Sequence, residues 1–172
     1  MMTLTDVRKF APENKIGNGS YSKQKSAAAW ELVNLDRNDR AERIERFIAD
    51  HIERRSGYKA TTTQQNCHWD ITVDLEHGPV KIEVKSALRK KGHEKQYYLQ
   101  NIKPHLFNYV FLVLITPDGI RIGWAHSKKI RNMCRYKIEG LCGYSISVNI
   151  DKWDRGEYDD WIFDIEDFPY GS

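Results

Sequence analysis

The sequence predicts an α/β fold, a mixed β-sheet flanked by helices, on three observations. Ala41, Ile44, Ile48 and Ile52 recur at helical spacing, which makes one face of a helix apolar and obliges it to pack on something. Residues 69–75 (WDITVDL) and 79–86 (PVKIEVKS) alternate apolar and polar side chains around a Glu-His-Gly-Pro turn, the pattern of a hairpin. Residues 109–115 are continuously apolar, as in a strand covered on both faces.

The elements follow in order. Residues 1–19 hold Pro12, Gly17 and Gly19 with little periodicity and read as an irregular arm. Residues 20–35, with SAAAW followed by Leu32 and Val33, have helical composition. A second helix starts at Asp39 as N-cap and runs to Gly57. A short threonine-rich strand at 58–63 leads into the hairpin. Residues 92–103 are expected to be helical and to end at Pro104. Pro117-Asp118-Gly119 turns the apolar strand into another at 120–124. Ser127 caps a short helix through Arg135, and 144–150 alternates as a late strand. The core order is helix, three strands, helix, strand. One domain is expected, with an arm and helix at 1–38, a core at 39–126 and an extension at 127–172.

Composition narrows the class. A chain of 172 residues and 20.2 kDa suits one domain with its own core. The longest apolar run has seven residues, far short of a membrane span. The opening MMTLTDVRKF has no apolar signal-peptide region, and three scattered cysteines make no disulfide framework, so a reducing cytoplasm is the expected location. Cys134, Cys142 and His126 match no standard zinc spacing and read as packing residues. The net charge of +3 is unevenly spread: residues 151–172 carry eight acidic and two basic side chains, −6, which leaves +9 on the first 150. A basic body suits a polyanionic partner, although on charge alone solvated surface charge is the better reading.

The hairpin carries the chemistry. If it turns on His77-Gly78, then Asp70 faces Lys85, Thr72 faces Glu83 and Asp74 faces Lys81. Asp70, Thr72, Asp74, Lys81, Glu83 and Lys85 then share one side of the sheet, and Ile71, Val73, Ile82 and Val84 share the other. Opposed Cβ atoms lie about 5 Å apart and diagonal ones about 7–8 Å, so two carboxylates and an ammonium surround one small volume. One reading is a solvent-facing sheet side with cross-strand ion pairs. The other is a hard-cation site, in which Asp70 and Glu83 hold Mg²⁺ near the Val84 carbonyl with Lys85 beside the metal-bound water.

The stretch WDITVDLEHGPVKIEVKSA resembles the signature of the PD-(D/E)xK nuclease superfamily, an Asp in one hairpin strand and a hydrophobic-flanked E-x-K in the next. LQNIKPHLFNYVFLVLITPDGIRIGW resembles a segment of its restriction-endonuclease-like members, in which a helix glutamine precedes the fourth strand. The resemblance spans roughly residues 39–126, and no proline precedes Asp70. It implies an αβββαβ restriction-endonuclease-like core and a Mg²⁺-dependent DNA endonuclease, with Mn²⁺ able to substitute. It further implies metal ligation by Asp70 and Glu83, water activation by Lys85 and support from Gln100. The first core helix contributes a further acid in such enzymes; Glu45 fits best, with Glu42 as the alternative and a surface ion pair as a third reading. Asp74 rivals Asp70, but lies one step nearer the turn.

Arg89, Lys90, Lys91, Lys95 and Lys103 follow the E-x-K strand and are expected to contact DNA phosphates without reading sequence. Lys128, Lys129, Arg131, Arg135 and Lys137 form a second basic region that could extend the track. The aromatics Trp153, Tyr158, Trp161 and Phe163 argue that the acidic C-terminal segment docks on the body. A palindrome cutter needs two active sites, so a homodimer is an option; no membrane partner is expected. A junction-resolving, nicking or intron-encoded nuclease of the same superfamily, or a non-catalytic nucleic-acid-binding module, would carry the same motifs.

Overall fold

The computed structural model describes residues 21–63, 67–89, 92–133, 136–137 and 143–168. Lys90, Lys91, Cys134, Arg135, Cys142 and the expected N-terminal arm lie outside the described residues, as does the side chain of Lys137.

Two helices open the described chain. Helix α1 (Ala27–Val33) starts where the Ser26 side chain accepts from the Ala29 amide, and is shorter than the 16 residues its composition suggested. Helix α2 (Arg37–Ser56) begins earlier than expected: Asp36 is its N-cap, accepting from the Asp39 amide at 2.9 Å, so Asp39 falls in the first turn. Either Asp is a competent cap by composition, and the apolar stripe does not say which turn comes first. Gly57 ends the helix in the left-handed region at φ 75°, as a C-terminal glycine does. Ile44, Ile48, Ala49 and Ile52 form the buried face.

The main sheet is mixed and six-stranded, in the order β1-β2-β3-β5-β6-β9. Its strands are β1 (Ala60–Thr62), β2 (Ile71–Leu75), β3 (Gly78–Leu88), β5 (Tyr109–Thr116), β6 (Gly119–His126) and β9 (Phe163–Asp164). Strands β3 and β5 run parallel, so the chain between them must cross over a face of the sheet. That crossover carries β4 (Gln96–Ile102), a strand, where a helix over 92–103 was expected. The reason is visible in QYYLQNI: Tyr97 and Leu99 are buried while Tyr98 and Gln100 are exposed, a period of two. Strand β4 joins a second sheet, β4-β8-β7, with β8 (Tyr144–Asn149) and β7 (Tyr136–Lys137). A bulge between Leu99 and Ile102 holds Asn101 at φ 61°. Gly143 passes so close that a Cβ there would lie 2.9 Å from the Asn101 backbone.

The two faces of the main sheet bury different partners. Ile71, Val73, Ile82, Phe111, Val113 and Ile115 pack with α1 and α2. Ala87, Val110, Leu112, Leu114 and Ala125 pack against Tyr97, Leu99, Ile146, Val148 and Ile130, the last from helix α3 (Ser127–Met133). The run at 109–115 is thus covered on both sides, as its composition requires. After helix α4 (Ile150–Asp154) the acidic segment docks: β9 pairs with β6, and Trp161, Ile162 and Phe168 are buried.

A candidate carboxylate and lysine site

The hairpin register differs by two residues from the one the alternation suggested. Glu76 and His77 form a two-residue loop closed by the pair Leu75 and Gly78, with Gly78 at φ 122°. Thr72 therefore faces Lys81, and Asp74 faces Pro79. A shift of two preserves which side every residue points to, so the hydrophobic pattern cannot tell the two registers apart. Among the described residues the expected pair of Asp74 with Lys81 is absent: Asp74 is exposed, while the Lys81 ammonium lies 4.3 Å from the centroid of the Trp69 ring.

The true register brings Asp70 to Glu83. The Asp70 amide donates to the Ile82 carbonyl at 2.9 Å, and the Asp70 carboxylate accepts from the Val84 amide at 2.7 Å. A side chain thus supplies the acceptor that a neighbouring strand's carbonyl would supply in an unbroken ladder. The Asp70 carbonyl turns away to accept from the Thr63 amide at 2.8 Å. Strand β2 therefore parts from β3 at Asp70, and the gap is where the acids gather. Val84 contributes its amide to this arrangement.

Alternation along β3 puts Glu83 and Lys85 on the same face as Ala87, which packs under the second layer. Their position is the margin of that layer, since Lys81, nearer the turn, is only partly covered. The Lys85 ammonium is 2.6 Å from the Glu83 carboxylate, and the two side chains are 12% (Glu83) and 20% (Lys85) exposed. Glu45 comes from α2 and lies within reach of both acidic charges.

The electrostatics follow from crowding. Burial pushes the Asp70 carboxyl up, opposed by the Val84 amide and the Lys85 charge. Burial and the Asp70 charge push Glu83 up, while Lys85 and Lys103 pull it down. Glu45 is pushed up to about 7, first by burial and then by Asp70 and Glu83. Three acids are held together against their own repulsion, with one close ammonium to offset them.

The remaining expected residues are scattered. Gln100 stands on strand β4, exposed, and among the described residues no hydrogen bond joins it to the acids. Arg89 is largely covered and paired with Glu94 at 2.8 Å; Lys95 pairs with Asp151 at 2.7 Å. Lys103, expected only as a phosphate contact, acts on Glu83. Glu42 pairs with Arg46 on the exposed side of α2, which leaves Glu45 as the acid near the site. Sequence reasoning missed Asn108. Its amide donates to the Lys81 carbonyl at 2.8 Å, its side chain accepts from the Lys81 amide at 2.9 Å, and its carbonyl accepts from the Ser127 amide at 3.0 Å. An Asn between two strands is a common loop residue, and nothing in its neighbours marks this one.

A divalent ion calls for oxygen ligands, and three carboxylates supply the right kind of donor. Among the described residues, however, no three acids, histidines or cysteines converge closely enough to hold an ion as they stand. Glu83 is turned to Lys85 and one Asp70 oxygen to Val84. The donor set fits a hard cation in type, and Glu83 is engaged by Lys85.

No protein-family model and no curated protein matches the chain. Among solved structures, a bacterial homing endonuclease aligns over 62% of this chain and 70% of its own, at 14% identity and a TM-score of 0.41. A likeness at that level assigns no chemistry to this chain.

Proposed function

We propose that this protein is a divalent-metal-dependent DNA endonuclease of the PD-(D/E)xK type. The observation that carries the reading is the Glu83–Lys85 pair opposite Asp70 in the hairpin, with Glu45 on α2 feeling the charges of both acids and each carboxyl raised by burial. Such mutual repulsion costs the empty fold stability, and a bound cation offsets it. Asp70, Glu83 and Glu45 would hold Mg²⁺ or Mn²⁺, with the Val84 carbonyl as a further oxygen. When bound, the ion supplies Lewis acidity toward the phosphoryl oxygen and acidifies a bound water.

The chain's own residues do the rest. The Lys85 ammonium, held at the margin of the second layer, orients the attacking water and offsets charge that develops on the phosphate. Glu83 must release Lys85 for this, so the 2.6 Å pair is a resting state of the site. The Val84 amide keeps Asp70 from rotating away.

The closed Glu83–Lys85 pair also favours a second reading, a nucleic-acid-binding module without turnover. One experiment separates the two. The protein is incubated with supercoiled, linear and single-stranded DNA in Mg²⁺ or EDTA, beside Glu83→Ala. Cleavage that needs Mg²⁺ and is lost in the variant supports the nuclease; binding without cleavage in any divalent ion supports the module.

A further inference from the structure

The expected phosphate track after β3 is largely neutralised where it is described, because Arg89 and Lys95 each carry a carboxylate partner. A different surface keeps its charge. Lys128, Lys129 and Arg131 on α3 are exposed, and among the described residues none of them has an ion-pair partner. Between them Ile130 is fully buried in the cluster under the second layer. The opposite side of the helix, bearing the three cations, therefore faces outward.

Their position relative to the acids is fixed by backbone. Ile82, Tyr109 and His126 lie side by side on β3, β5 and β6. Ser127 then starts α3 two strands from Glu83, about 10 Å across the sheet at about 4.8 Å per strand. Asn108 ties the two ends together, bonding Lys81 on β3 and Ser127 at the head of α3. Helix α3 also packs on the 3₁₀ turn Pro104–Leu106, directly after Lys103. Ile130 and Ala87 belong to the same core cluster, so α3 covers the face of the sheet from which Glu83 and Lys85 project. A polyanion lying at the acids is attracted by these three exposed cations.

We infer that duplex DNA enters the site over α3, with Lys128, Lys129 and Arg131 neutralising backbone phosphates and Lys103 continuing the path to Glu83. The inference rests on the nuclease reading and locates its substrate. A separation of about 10 Å corresponds to about three base-pair steps of one strand. The contacts are to phosphate, so they position the duplex without specifying bases.

The test is binding of a labelled duplex in Ca²⁺ at several salt concentrations. K128A/K129A/R131A is compared with the natural chain and with R89A/K95A. Alanine favours helix and Ile130 remains as anchor, so α3 stays folded in the variant. Each lost phosphate contact makes the slope of log K against log salt shallower by about 0.9, about 2.7 for all three. The expected result is that loss in the α3 variant and a nearly unchanged slope in R89A/K95A. An unchanged slope in the α3 variant, or the larger change in R89A/K95A, overturns the path while Mg²⁺-dependent cleavage by the natural chain leaves the nuclease reading standing. A natural chain that neither cleaves nor binds the duplex, or binds RNA only, overturns both.

Discussion

Replacing Glu45 by Gln in the metal-free protein is expected to stabilise it at pH 8.5 and to change little near pH 4.5. In the folded chain burial and the charges of Asp70 and Glu83 raise this carboxyl from 4.5 to about 7. A folded value above the unfolded one means the native state holds the proton more tightly. Its contribution is therefore fully present below about 4.5 and is lost as pH rises through about 7. Each pH unit of difference is worth about 1.4 kcal/mol, about 3 kcal/mol across this window. Glu45 is only partly buried, and solvent screening reduces the figure to about 1–2 kcal/mol. Urea unfolding of both proteins in EDTA across pH 4.5 to 8.5 isolates the effect, because Asp70 and Glu83 remain in each. A stability difference that does not grow between pH 4.5 and 8.5 would refute the claim that Glu45 is held near the other acids. Saturating Mg²⁺ at pH 8.5 should raise the midpoint of the natural chain and raise that of Glu45→Gln less.

Other outcomes follow from the same geometry. Asp70→Asn keeps an oxygen for the Val84 amide, whereas Asp70→Ala orphans it, so the alanine variant should be about 1–3 kcal/mol less stable by urea unfolding. Equal stability of the two would mean that the 2.7 Å bond contributes nothing. Asp74→Asn should cleave like the natural chain in a plasmid assay, because Asp74 is exposed opposite Pro79; a dead variant would make Asp74 the metal ligand in place of Asp70. Gln100→Ala should also retain cleavage, and its loss would show that the outward-facing end of β4 reaches the reacting groups.

What the sequence revealed depended on whether the information was local. The stripe Ile44, Ile48 and Ile52 and the run at 109–115 are properties of single elements, and both appear as expected. The side to which Asp70, Glu83 and Lys85 point was also legible, because alternation sets it in either hairpin register. The register itself was not, since it depends on which turn closes, and Glu-His-Gly-Pro permits more than one. The period of two over residues 96–100 is too short to exclude the helix expected over 92–103, because the bulge between Leu99 and Ile102 interrupts it. Only pairing with β8, more than forty residues away, decides for the strand. Pairing across the fold likewise turned Lys95 from an expected phosphate contact into an ion-pair partner of Asp151, while Arg89 found its partner Glu94 only five residues on.

The bond from the Val84 amide to Asp70 also bears on which ion would suit the site. With one lone pair of Oδ2 engaged by the backbone, Asp70 has Oδ1 as its freer oxygen, and clasping one ion with both oxygens would put the ion in competition with the Val84 amide. Ca²⁺ gathers about six to eight oxygens and often takes a carboxylate by both, whereas Mg²⁺ keeps several of its own waters and needs few protein ligands. A carboxylate biased towards a single point of attachment would thus favour the smaller, more hydrated ion. The preference would come from a main-chain amide, a group that among substitutions at position 84 only proline removes.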